Sequence, residues 1–334
     1  MILDTSIDIL KQLQHPKGLF VAALDKRTHY SRQSWIRDCI YASLGFEATK
    51  NNKELVKTYH ALLDVLKKHE YKIDWAIVEK PKHGWQYIHA RFDPETFDEF
   101  SENWGNKQND SIGALLFKIG DLESKGIKVL RNDDDRRIVQ KLVYYLASIE
   151  YWHDADNGMW EENEEVHASS VGACVAGLKK ISKIVNVPQP LIAKGVETLN
   201  AILPRESEKK ETDLALLSLI YPYGIVSDEQ KVEILKDVED MLVREKGLIR
   251  YKGDMYFNRE GEAEWTFGFP WLSIIYRMMN KPDKQAHYMR KTLEVLNDKG
   301  ELPELYYAGS GNHNENTPLG WGQSLLVVAM LLDV

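Results

Sequence analysis

The stretch NGMWEENEEVHASSVGA, residues Asn157 to Ala173, sets a glycine turn, a tryptophan and four glutamates directly ahead of a helix of small residues. Negative charge near a helix N-terminus is favoured by the dipole. That accounts for Glu164 and Glu165 but leaves Glu161, placed beside Trp160, without a reason. Polar, tryptophan-bearing loops running into apolar helices recur along the chain, and this alternation decides the fold.

Apolar residues recur at helical spacing over Trp35 to Phe46, Leu55 to Leu66, Ile112 to Leu122, Ile138 to Ile149, Val171 to Val185, Leu214 to Ile220, Val232 to Leu242, Trp271 to Met279 and Leu319 to Leu332. Weaker patterns near Ile7, Ile192 and Tyr288 bring the total to roughly a dozen helices. They are separated by punctuation such as NVPQP, LPRES, YPYG and NKPDK. Few segments alternate as strands should, and no Pro/Gly/Ser linker divides the chain. Paired helices without a composition break predict one α-helical domain, a solenoid or a toroid. The lack of a fixed-period repeat favours the closed ring.

The chain has 334 residues, 43% of them hydrophobic, enough for a substantial core. Its 51 acidic and 43 basic residues give a net charge of -8 with no basic stripe, so nucleic acid is excluded as a partner. Cys39 and Cys174 lie far apart in apolar helical patterns, which predicts core packing in a reducing compartment. The opening MILDTSIDIL has acids within its apolar run and no basic leader, and no window reaches ~18 uninterrupted apolar residues. The expectation is a soluble, cytoplasmic protein with no membrane partner.

Trp104, Trp160 and Trp321 adjoin polar residues where a helix is about to begin, and Trp35 lies in SWIRD. Such rings suit a sugar site, where an indole covers the C–H face of a pyranose while charged and amide groups bond its hydroxyls. Each also suits a plain staple between loop and helix end. Arg37 and Asp38 are adjacent charges in an apolar helical run; they need a polar cavity or partners, or else form a local ion pair at the helix start. In NWGNKQNDSIGALLF, Asp110 or Asn109 reads as an N-cap. LIRYKGDMY supplies Arg250, Tyr251 and Asp254. In GELPELYYAGSGNHNENTPLGWGQSLLV, Glu304 follows Pro303 in a polar, aromatic loop, a candidate general base set against the plainer reading of a solvated loop glutamate.

Glycoside hydrolysis needs one protonated and one ionised carboxyl, and apolar cover of the kind Trp160 offers Glu161 disfavours the charged form. Glu161 and Glu162 are not both readily buried as charges, so one reads as the acid and the other as a hydroxyl ligand or supporting group.

SWIRD, WGNKQND, MWEE, RYKGDMY with FPWL, and LPE with PLGW occur in that order, and in this the chain resembles glycoside hydrolase family 15, the glucoamylase and glucodextranase group. NWGNKQNDSIGALLF through DADNGMWEENEEVHASSVGACVAGLKKI is similar also to the homologous domain of the α and β regulatory subunits of phosphorylase kinase. The resemblance runs from about Tyr30 to the C-terminus. It implies an all-α (α/α)6 barrel, a six-hairpin toroid, in agreement with the dozen helices. It further implies that Arg37 and Asp38 bind the non-reducing-end glucose, that Trp104 packs near the acid and the sugar, and that Trp160 and Trp321 wall the pocket. Arg250 would bond the substrate and Glu162 the next sugar. Glu161 falls on the family's general acid and Glu304 on its general base. The family inverts configuration, which requires carboxyls ~6.5–9.5 Å apart.

On this reading residues 1–334 form a single catalytic-type domain, without the N-terminal β-sandwich of bacterial and archaeal members and without a starch-binding domain. The partner expected is an α-glucoside or oligosaccharide substrate, with no metal and no organic cofactor. Ser31 and Gln33 stand where fungal members carry aromatic residues, with Tyr30 as a substitute. The first function expected is an inverting exo-acting α-glucosidase releasing β-D-glucose. The alternatives are a non-catalytic glucan-binding or regulatory barrel and a glucosidase specific for trehalose or isomaltose.

Overall fold

A computed structural model describes residues 2–102 and 104–332. In chain order its helices begin with α1 (Ile2–Leu13), α2 (Ile36–Ala48), α3 (Asn52–Lys68), α4 (Glu70–Val78), α5 (Asn109–Ser124) and α6 (Asp133–Ile149). There follow α7 (Ala168–Ile181), α8 (Gln189–Ile202), α9 (Leu217–Ile220, entered through a 3-10 turn), α10 (Asp228–Met241), α11 (Gly268–Met278), α12 (Pro282–Glu294) and α13 (Gly320–Leu331).

Helices α2, α5, α7, α9, α11 and α13 are buried over nearly their whole length. A helix apolar on every side must be enclosed on every side. These six pack each on the next, and α13 returns to α2, so the ring closes. The amphipathic helices form the outer layer: α3 covers α2, α6 covers α5, α8 covers α7, α10 covers α9, α12 covers α11 and α1 covers α13. Each outer helix carries the chain back, so the inner helices all start at one end of the ring.

Small residues set the tightest inner contact. A Cβ added at Gly113 of α5 would lie 2.4 Å from the backbone of Ala173 and Cys174 in α7, and one at Gly177 would lie 2.4 Å from the Gly113 carbonyl oxygen. The run of Ala, Ser and Gly opening α7 is therefore a packing surface for α5. The closing seam is tied by Ser324 of α13, whose hydroxyl donates to the Tyr41 carbonyl and accepts from the Gly45 amide, each at 2.7 Å. Cys39 and Cys174 are both buried free thiols.

Every helical pattern read from the sequence overlaps a helix, although Trp35 lies in a short strand ahead of α2, Leu214–Leu216 forms the 3-10 turn ahead of the four-residue α9, and α7 ends at Ile181 rather than Val185. Helix α4 was not expected. Its apolar residues Ile73 and Ala76 face inward while Tyr71, Trp75 and Val78 face outward, which blurs the periodicity. Two short antiparallel pairs staple the loops at the starting end: β1 (Ser34–Trp35) with β2 (Arg91–Phe92), and β3 (Glu264–Trp265) with β4 (Leu305–Tyr306). Among the described residues, no helix is long and apolar enough to cross a membrane.

Candidate active site

The loops feeding the inner helices enclose a cavity of about 220 Å³, and all nine side chains singled out from the sequence as site residues line it. The volume lies below the ~300–1,000 Å³ of sites for drug-sized molecules, a size suited to one small ring.

Glu161 projects from a loop pinched shut by backbone pairing of Asp156 with Glu165. Its own φ of 63° is left-handed, a conformation costing a non-glycine residue about 1–2 kcal/mol. The turn is held by Asn157, whose amide donates to the Glu162 carbonyl at 2.6 Å and whose carbonyl oxygen accepts from the Lys107 amide at 3.1 Å. Two donors meet the carboxylate: the Trp104 indole N–H on Oε2, and Gln108 Nε2 on Oε1 at 2.7 Å. Arg37 Nη2 lies 3.7 Å from Oε1. Gly105 fits beneath this loop because a Cβ there would meet the Glu161 carbonyl oxygen at 2.6 Å.

Arg37, in the first turn of α2, is buried and pairs across the cavity floor with Asp110 at 3.0 Å and Gln108 at 2.9 Å. The cap reading of Asp110 and Asn109 is corrected here. Helix α5 begins at Asn109 with Gln108 in the cap position and no side-chain cap. Asp110 serves Arg37 instead, and the Asn109 side chain donates to Asp154. A local Arg37–Asp38 ion pair is likewise absent among the described contacts. Asp38 lines the cavity half-buried, and loss of water pushes its carboxyl up to about 7, with Arg37 pulling the other way and the charge of Glu161 adding to the rise.

Arg250 is clamped by Asp254 through two 2.6 Å bonds and reaches Glu162 Oε1 at 2.7 Å. Tyr251 and Lys210 bond the other oxygen of Glu162 at 2.6 and 3.1 Å. Burial alone would raise the Glu162 carboxyl, but Arg250 and Lys210 prevail and hold it below the ordinary range. Of the adjacent pair, Glu162 is thus the fixed anion.

Glu304 precedes β4 and is 1% exposed. Burial pushes its carboxyl up to about 7, opposed by Asn316 and Asn314, whose amides both donate to Oε2, the former at 2.8 Å. The deeper enclosure therefore belongs to Glu304, whereas the sequence reading assigned apolar cover to Glu161. Trp160, expected to provide that cover, donates its indole N–H to Asp213 at 2.7 Å and stands in a wall with Trp265, Phe267 and Trp321. Trp104 is the ring bonded to Glu161.

Glu164 and Glu165 do not sit in a helix first turn. They occupy the loop ahead of His167, the cap position of α7, where Glu164 pairs with Lys107 and Glu165 accepts from Ser207.

Gln108, Asn314 and Asn316 hold the two glutamates and were not among the expected site residues. The amide-rich runs WGNKQND and GNHNEN were the available signal. Tyr256, Trp265 and Phe267 complete the wall. Buried donors without a protein partner include the indole N–H groups of Trp265 and Trp321 and the Arg37 Nε, all on cavity-lining residues.

The closed ring of paired helices with a pocket at its loop end is an architecture found also in solved glycosidases. A solved glycosidase superposes on 98% of the chain with TM-score 0.82 and 18% identity, covering 95% of its own length. A variant glycosidase in complex with glucose gives 0.82 at 18% identity over 99% of this chain and 97% of that one. Saccharomycopsis fibuligera glucoamylase gives 0.71 at 15% identity over 98% and 93%. The family model for glycosyl hydrolases family 15 matches residues 2–328, and the chain belongs to that family.

Among curated proteins, a probable phosphorylase b kinase regulatory subunit alpha of Caenorhabditis elegans is 27% identical over 90% of this chain and 30% of its own length. The liver isoform of phosphorylase b kinase regulatory subunit alpha of Mus musculus is 26% identical over 93% and 31%. The chain spans about a third of the length of these relatives.

Proposed function

We propose that the chain is an inverting, exo-acting α-glucosidase that releases β-D-glucose from the non-reducing end of short α-glucans or α-linked disaccharides. One observation carries the reading: Glu161 and Glu304, each fixed by amide donors, line the same aromatic-walled cavity. A terminal glucose occupies the cavity, with Asp38 and Arg37 at its hydroxyls. Glu161 gives a proton to the glycosidic oxygen as the C1–O bond breaks. Glu304 takes a proton from the water that attacks C1 from the opposite face, so an α-linkage yields the β-anomer. A base raised to about 7 is matched to proton abstraction near neutral pH.

A second reading, a barrel that binds glucan or a partner protein and regulates without turnover, is favoured by the phosphorylase kinase relatives. The test is incubation with maltose, isomaltose, trehalose, kojibiose, nigerose and maltooligosaccharides, with the released anomer read by NMR. β-Glucose from the wild type, lost in both Glu161→Gln and Glu304→Gln, supports the enzyme. Saccharide binding without release across the panel supports the regulator, and release confined to trehalose or isomaltose narrows the enzyme to that linkage.

A further inference from the structure

Outside the cavity, the outer face of α4 and the 3-10 turn Gly84–Gln86 display two tryptophans to solvent. Trp75 is 52% exposed and Trp85 60%. Their rings meet edge to face at 6.4 Å, and His83 lies nearly parallel to Trp85, 6.2 Å between centroids. The turn is anchored: Gln86 accepts from the amides of Lys82 and His83 at 2.9 Å, and Asn106, two residues beyond Trp104, donates to the Gly84 carbonyl at 2.8 Å. Trp85 is thus a braced aromatic platform, which keeps the entropic cost of seating a ligand low.

A groove of about 660 Å³ joins this platform to the catalytic cavity. Trp85 lines its outer part, while Trp104, Glu161 and Glu162 line both groove and cavity. Its charged and amide groups are chiefly acids and amides, including Glu99, Glu102 and Asn157; its histidine, His89, is kept uncharged near neutral pH by burial, which lowers it to about 4, and its lysine, Lys72, is neutralised by Glu99 at 2.5 Å. Such a lining repels phosphate or carboxylate and accepts the hydroxyls of a neutral chain. The groove begins at Glu161, the group assigned to protonate the scissile oxygen, so what leaves the cavity along it is the reducing-end portion of the substrate.

We infer that the groove is an extended leaving-side site for a neutral α-glucan chain, with Trp85, backed by Trp75, as a stacking platform for a sugar beyond the one next to the cleaved bond. The inference rests on the glucosidase reading for its direction and makes the chain selective for oligosaccharides over disaccharides.

The experiment compares wild type with Trp85→Ala and Trp75→Ala on the disaccharide and the hexasaccharide of both the α-1,4 and α-1,6 series, with binding of the same sugars to Glu161→Gln proteins measured by calorimetry. Both rings are exposed, so the variants should fold, which circular dichroism checks. The expected result is a wild-type kcat/KM higher for a hexasaccharide than for its disaccharide, an advantage that Trp85→Ala cuts about fivefold to tenfold while the disaccharide value stays within about twofold. Turnover without that length dependence, or unchanged in Trp85→Ala, overturns the inference and leaves the glucosidase standing. No turnover, but hexasaccharide binding weakened by Trp85→Ala, upholds the platform and removes the glucosidase. A change of mass in sedimentation on Trp85→Ala without any effect on sugars makes the patch a contact between copies and also overturns the inference.

Discussion

Gln108 and Glu161 are joined by a 2.7 Å hydrogen bond from the amide nitrogen to Oε1, while the amide oxygen of Gln108 accepts from Arg37 at 2.9 Å. One side chain thereby fixes the spacing between a buried cation and the proposed proton donor. Gln108 is absent from the cavity lining, so it acts through its neighbours. Gln108→Ala should lower kcat by about 10–100-fold, the scale of a roughly 1 Å misplacement, with KM changed far less. Steady-state kinetics beside an unchanged circular dichroism spectrum checks this; equal loss in kcat and in thermal stability would mark a merely structural residue.

The pH dependence follows from Glu304. A base must be ionised to act, and burial lifts Glu304, the proposed base, to about 7. The acid limb of kcat/KM is therefore expected near 7, with activity falling as pH drops through it. The Asn316 amide holds the carboxyl down, so Asn316→Ala should move the limb to higher pH. A limb near 4.5, or a downward shift in the variant, contradicts the assignment of Glu304 as base.

The same enclosure burdens folding. Between the ordinary glutamate value of 4.5 and about 7 the folded chain keeps a proton on Glu304 that the unfolded chain has released. The unfolded state then binds fewer protons, so stability falls as pH rises across that window, by about 3 kcal/mol in full. Glu304→Gln cannot ionise and should gain thermal stability over wild type at pH 8 but little at pH 4.5. A melting-temperature difference that does not vary with pH would refute the shift.

In the inner ring, Gly113→Ala forces a methyl to within 2.4 Å of the α7 backbone. Backbone on both helices leaves no side chain to yield, and a loss of about 3 kcal/mol is expected from overpacking. At Gly311 a Cβ meets open space, so Gly311→Ala should change stability by less than about 0.5 kcal/mol. Denaturant midpoints of the two variants provide the comparison.

The ring was legible because inner and outer helices differ in kind: CIYASLGF carries no charge on any side, whereas NKELVKTYHALL keeps one charged face. The pocket residues were legible from tryptophans and charges at the starts of those helices. What escaped was the support, because an amide such as Gln108 or Asn316 looks like any loop residue until its carboxylate partner is known, and those partners lie 53 and 12 positions away respectively. The expected cap at Asp110 failed for a related reason. Capping is a local rule, and a buried arginine from α2 outcompeted it.

The seam between α2 and α13 joins the second of the described helices to the thirteenth. During synthesis, α2 leaves the ribosome with one flank bare, and that flank stays uncovered until nearly every other helix has been made. The closed pocket, which Trp321 of α13 helps wall, does not exist before then, so the chain emerges with a sticky flank bare and must hold off aggregation until α13 arrives.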